Sequence, residues 1–112
     1  MIIAIEIILA VAAITGLVLA GKHSKGNKPP LAMGLTHGLV AAVGLILLIV
    51  AIVQGSTGTA ITTALVLLVI SALGGFVLLS IRVRGKNLPK PLMAIHGLIA
   101  VVGYLFLLIG VR

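Results

Sequence analysis

The sequence predicts an all-α integral membrane protein, an up-down bundle of four transmembrane helices made from a duplicated helical hairpin. Three observations carry that expectation. The 112 residues are 62% hydrophobic and only 8% charged, and eight Lys or Arg with a single acid cannot cover a soluble fold of this size. Four apolar runs, about Ile2–Ala20, Leu31–Val53, Thr59–Ile81 and Leu92–Val111, each approach the roughly 20 residues that a spanning helix needs. The chain also aligns with itself at an offset of 59 residues.

The first run follows a lone methionine with no basic segment before it, so it reads as a retained helix and not as a cleavable signal. The polar segment Gly21–Pro30 (GKHSKGNKPP) breaks the chain before the second run. A short turn, Gln54–Gly58 (QGSTG), separates the second run from the third, which opens on Thr59, Thr62 and Thr63. Arg82–Pro91 (RVRGKNLPKP) precedes the fourth. Gly and Pro mark each break, and connections this short make sequential helices antiparallel neighbours. The whole chain, 1–112, is then one membrane domain, with repeat one over 1–53 and repeat two over 59–112.

The charges sort by side. Lys22, Lys25, Lys28, Arg82, Arg84, Lys86 and Lys90 lie in the first and third loops, against Arg112 alone on the side of the termini. By the positive-inside rule the basic loops are cytoplasmic and both termini lie outside a cell (cytoplasmic) membrane crossed several times. The net charge of +7 is accordingly a topology signal, and with 3% aromatic residues no nucleic-acid partner is expected. Absence of cysteine excludes thiolate chemistry. Glu6 is the only acid, which excludes catalysis by paired carboxylates.

The self-alignment sets His37-Gly-Leu-Val-Ala-Ala-Val-Gly-Leu-Ile-Leu-Leu against His96-Gly-Leu-Ile-Ala-Val-Val-Gly-Tyr-Leu-Phe-Leu, with seven of twelve pairs identical. Gly16-Leu17-Val18-Leu19 matches Gly75-Phe76-Val77-Leu78 at the same offset. Each unit holds two spans, so the copies point the same way. His37 and His96 then occupy equivalent depths on co-directional helices. Each is seven residues past a proline, Pro30 or Pro89, or roughly 10 Å in from the basic face.

Ionisable groups inside a span are costly and face a bundle interior or a functional site. Ala41 and Gly44 follow His37 at helical spacing, as Ala100 and Gly103 follow His96, while Gly16 and Gly75 fall near the same level on the other two helices. Small residues in one stratum allow either close helix contact or insertion of a flat group. Two imidazoles facing each other there form the axial pair of a haem b, with His37 and His96 as iron ligands. Gly16, Gly75, Ala41, Gly44, Ala100 and Gly103 would border the macrocycle. Its propionates would meet Lys28, Arg84 and Lys90, with Lys25 and Lys86 nearby.

The H-G-L-x-A pattern on each of these helices resembles the histidine-bearing helices of the cytochrome b-561 group of membrane b-type cytochromes. The resemblance covers about 15 residues in each of helices two and four, and it implies haem ligation by His37 and His96 on alternate, co-directional helices. Family members carry two ligand pairs in a longer helical core, whereas this chain has one, so electron transport across the membrane and use of ascorbate are not implied.

The expected function is therefore electron transfer or oxidoreductase chemistry near the cytoplasmic face, with a quinone or a redox protein as partner. Glu6, roughly 7 Å inside helix one, opens an alternative: a small four-helix transporter of the kind that uses a single glutamate in its first span. The structural role for Glu6 is pairing with Arg112 or with the terminal amine. A structural or lipid-interacting bundle is the remaining alternative. His23 reads as a solvated loop residue, and Thr15 and Ser71 as bonding back within their own helices. Gly34 and Gly38 form a G-x-x-x-G around His37 that favours a homodimer.

Overall fold

A computed structural model describes residues 1–112. The chain forms four α-helices and nothing else of regular structure: α1 (Ile2–Ser24), α2 (Leu31–Val53), α3 (Thr59–Val83) and α4 (Lys90–Gly110). Each is long and apolar enough to cross a membrane. Connections of five or six residues reverse the chain between successive helices. α1 packs on α2, α2 on α3, α3 on α4 and α4 on α1, which leaves α2 and α4 on a diagonal. The long dimension of 43 Å is close to the roughly 40–45 Å of a bilayer with its headgroups.

α1 and α3 continue past the apolar runs into basic residues. Lys22, His23 and Ser24 extend α1, and Arg82 and Val83 extend α3. Lys and Arg are good helix formers, and cations are favoured in a last turn, where the helix dipole is negative. The helices stop where glycine takes over. Gly26 (φ 83°) and Gly85 (φ 77°) adopt the left-handed conformation. Asn27 and Lys86 then donate back to the carbonyls of Lys22 and Ile81, while Gly26 and Gly85 donate to those of His23 and Arg82. This is the six-to-one and five-to-two pairing that a C-terminal glycine permits. α4 begins at Lys90 and ends at Gly110, shifted slightly from the expected Leu92–Val111, because Pro91 is well tolerated in a first helical turn.

The core lies in the half of the bundle that carries the termini and the Gln54–Gly58 turn. Ile5 and Leu9 from α1, Leu48 and Ala51 from α2, Ile61 and Ala64 from α3, and Leu107 from α4 form one buried cluster. Glycines let the helices close there: Gly44 accommodates Leu9, Gly103 accommodates Leu67 and Leu68, and Gly110 lies against Ile61. The exterior is apolar along its length, with Ile3, Leu17, Leu39, Leu73, Leu98 and Ile109 all more than half exposed. An apolar exterior of this extent matches a hydrocarbon environment. Glu6 sits at the closed end. Its carboxylate accepts a hydrogen bond from Arg112 Nη1 at 2.9 Å, and its backbone carbonyl accepts one from the Tyr104 hydroxyl at 3.0 Å. That hydrogen bond and the carboxylate charge hold the Arg112 guanidinium above its ordinary pKa.

Candidate functional site

The opposite half of the bundle, under the basic loops, encloses a cavity of about 500 Å³ to which all four helices contribute. Both intrahelical histidines line it. Their ring centroids are 6.3 Å apart and the rings are nearly perpendicular, at 89°. Each ring rests on a glycine of the preceding helix. A Cβ at Gly16 would stand 2.8 Å from His37 Cε1, and one at Gly75 would stand 3.0 Å from His96 Cε1. The two glycines that the repeat places at histidine level are thus the seats of the imidazoles, and any side chain there would displace a ring.

The hydrogen bonds assign the tautomers. His96 Nδ1 is 2.7 Å from the Ser71 carbonyl oxygen. A carbonyl only accepts, so Nδ1 carries the proton. His37 Nδ1 is 3.2 Å from Thr15 Oγ1, and that hydroxyl is also 2.9 and 3.0 Å from the carbonyls of Ala12 and Val11. With the hydroxyl hydrogen given to the backbone, Oγ1 is free to accept from His37 Nδ1–H. In its neutral form each imidazole then keeps a lone pair on Nε2. Neither Nε2 has a hydrogen-bond partner within the chain, and neither is sealed from the cavity. Anchoring one ring nitrogen through its N–H while leaving the other free is the arrangement by which proteins orient a histidine ligand.

The partners differ between the halves. Thr15 corresponds to Gly74 at the 59-residue offset, and Ser71 corresponds to Ala12. Each histidine has one hydroxyl beside it, supplied from a different helix position. Ser71 also donates from Oγ to the His96 carbonyl at 3.0 Å. Thr15 bonds back within its own helix as expected, whereas the Ser71 hydroxyl reaches only α4, contrary to the sequence expectation. Comparing equivalent positions hides them, because the hydroxyl at each site faces a residue without one in the other copy.

The remaining expected site residues divide into two groups. Gly16, Gly75, Ala100 and Lys90 line the cavity. Ala41, Gly44 and Gly103 do not; Gly44 lies against Leu9 and Gly103 against Leu67 and Leu68, closing the bundle at these two positions. Lys28 and Arg84 are also outside the lining, and Arg84 Nε donates to the Ser80 carbonyl of its own helix at 3.3 Å. Their places are taken by His23 and Arg82, which line the cavity from the last turns of α1 and α3. His23 and Arg82 are themselves 59 residues apart, a correspondence that identifies the pair once the helices are seen to run on past their apolar segments. Gly34 lines the cavity and Gly38 is exposed, and neither would bring a Cβ within 4 Å of another helix. The G-x-x-x-G is therefore not used for packing within the bundle.

Nowhere do three or more histidine, cysteine or acidic residues gather as a metal site, so a free zinc or copper ion would be under-coordinated. No protein-family model, curated protein or solved structure matches the chain.

Proposed function

We propose that this chain is an integral membrane electron-transfer protein that binds one b-type haem between His37 and His96. The observation that carries the proposal is the matched pair of imidazoles, each held through Nδ1–H and each keeping an unpartnered Nε2, 6.3 Å apart at their centroids in one cavity. A duplicated hairpin accounts for the pairing, since one ancestral histidine becomes two on co-directional helices. The charge pattern supports an orientation with the basic loops in the cytoplasm and both termini outside, which would put the haem near the cytoplasmic face.

A bound haem supplies one-electron chemistry at its iron. The protein supplies the rest. Ser71 and Thr15 fix the ring orientation and tautomer of the two histidines. Gly16 and Gly75 set how far each ring can withdraw into the bundle wall. The packed core at the other end excludes water from below. With one site about 10 Å from one surface, roughly 20 Å of hydrocarbon lies beyond it without a second carrier, so exchange is confined to one face. The donor or acceptor would be a quinone or a redox protein at that face, and Gly38 with its exposed neighbours offers the surface for a second copy of the chain.

The deciding experiment is an absorption spectrum of the purified protein with its haem retained or added back. A Soret band with reduced α and β bands, lost in both His37→Ala and His96→Ala, is the expected result. A protein that stays colourless in excess haem overturns the proposal. Transport through Glu6 remains the second reading, and it requires a carboxylate that here is paired with Arg112.

A further inference from the structure

The basic end of the cavity has a chemistry of its own. His23, Arg82 and Lys90 line it, and no acid lies in either basic loop or elsewhere at this end, because Glu6 is at the far end of the bundle, paired with Arg112. Arg82 Nη2 donates to the carbonyl of the buried Pro29 at 3.2 Å. A guanidinium has five N–H donors, and this is the one hydrogen bond that Arg82 makes through its side chain. A half-buried arginine with unspent donors and no carboxylate is costly in an apolar setting unless an external anion completes it.

The cavity also has an apolar way out. Leu17 on α1 and Leu98 and Val101 on α4 line it, and they are 68%, 67% and 42% exposed on the outer surface. The cavity therefore opens between α1 and α4 onto the apolar exterior. A site with cations at one end and an open apolar flank fits a molecule with the same polarity.

We propose that Arg82, flanked by Lys90 and His23, is an anion-binding site that takes the carboxylate or phosphate of a membrane-borne amphiphile whose apolar body lies in the cavity and leaves between α1 and α4. The carboxylates of a haem and the phosphate of an anionic lipid share this chemistry, so the site stands independently of haem ligation by the histidines.

The test uses the full chain in nanodiscs of phosphatidylcholine. Haem and haem dimethyl ester, which lacks the free carboxylates, are titrated by absorbance. In a second arm, native mass spectrometry compares retention of phosphatidylglycerol with that of phosphatidylcholine. Wild type is expected to bind haem about tenfold or more tightly than the ester, the scale of a charge-assisted hydrogen bond, or to retain phosphatidylglycerol preferentially. Arg82→Gln should bring the discrimination to within about threefold, while the exposed Lys86→Gln preserves it. Lys90→Gln, which leaves the Pro29 contact intact, covers the case in which Arg82→Gln fails to fold. Discrimination between haem and ester assigns the anion to a carboxylate. Silence from both porphyrins with selective retention of phosphatidylglycerol assigns it to a phosphate, and overturns haem binding while the anion site stands. Equal treatment of both ligand pairs by wild type, or discrimination undiminished in both Arg82→Gln and Lys90→Gln, overturns the anion site.

Discussion

Gly16→Ala is the sharpest perturbation of the histidine site. The added methyl would lie 2.8 Å from His37 Cε1 and 3.4 Å from both ring nitrogens. Carbon atoms in comfortable contact are about 3.5–4.0 Å apart, so the imidazole must retreat by about 1 Å. Metal–ligand distances tolerate about 0.2 Å, and the 3.2 Å bond to Thr15 has no slack for such a shift. One of the two proposed iron ligands would therefore be lost. Haem affinity should fall at least about tenfold, the range in which disturbed ligand orientation is felt, and the low-spin absorption bands should broaden or move. Helix weakening is not a confounding cause, since alanine is favoured over glycine in a helix interior by about 0.5–1 kcal/mol. Gly74→Ala is the matched control. Its methyl would meet His96 Nδ1 at 3.6 Å, an ordinary contact, so this variant should bind haem as wild type does and melt slightly higher. Absorbance titration of both variants in the same lipid decides the matter. Wild-type affinity and band positions in Gly16→Ala would refute the placement of the iron ligand.

Further outcomes follow from the same geometry. Thr15→Val should weaken haem binding more than Ser71→Ala, because Thr15 Oγ1 is the side-chain acceptor for His37 while His96 keeps the Ser71 carbonyl in either case; equal effects in equilibrium titrations would contradict this. Glu6→Gln should leave the haem spectrum unchanged and lower the melting temperature only slightly, because its partner Arg112 is exposed; loss of proton-coupled dye uptake in this variant would instead establish transport. The chain has no cysteine, so Lys25→Cys and Ser56→Cys can each be labelled uniquely. An impermeant thiol reagent applied outside intact cells should reach Cys at 56 and not at 25, and the reverse pattern would invert the topology.

Most of the bundle was legible because hydrophobic spans are long-range averages over about 20 residues. Chain ends and loops matched the apolar runs to within a few residues. The exceptions, at Lys22–Ser24 and Arg82–Val83, arose where hydropathy ends but helix propensity continues. The seats of the histidines at Gly16 and Gly75 were readable from the repeat, which equates positions that occupy equivalent sites. The close packing at Gly44 and Gly103 was not legible, because a small residue permits both a gap and a close contact. Which of these it becomes depends on the facing side chain, here Leu9, Leu67 and Leu68, and that partner is not encoded in the small residue itself. Thr15 and Ser71 escaped for the opposite reason: their roles lie in differences between the halves.

The packed end and the hollow end together make the bundle a lever. Leu48, Ile61 and Leu107 hold the two hairpins together near the termini and act as a fulcrum. At the other end the one side-chain hydrogen bond joining the hairpins is that between Arg82 and Pro29. A small rotation about the fulcrum would be amplified along the helices, so any widening at that end would leave the core undisturbed. Spin labels at Lys25 and Lys86 should report that widening when a ligand enters, while a pair near Gln54 and Arg112 stays at constant separation.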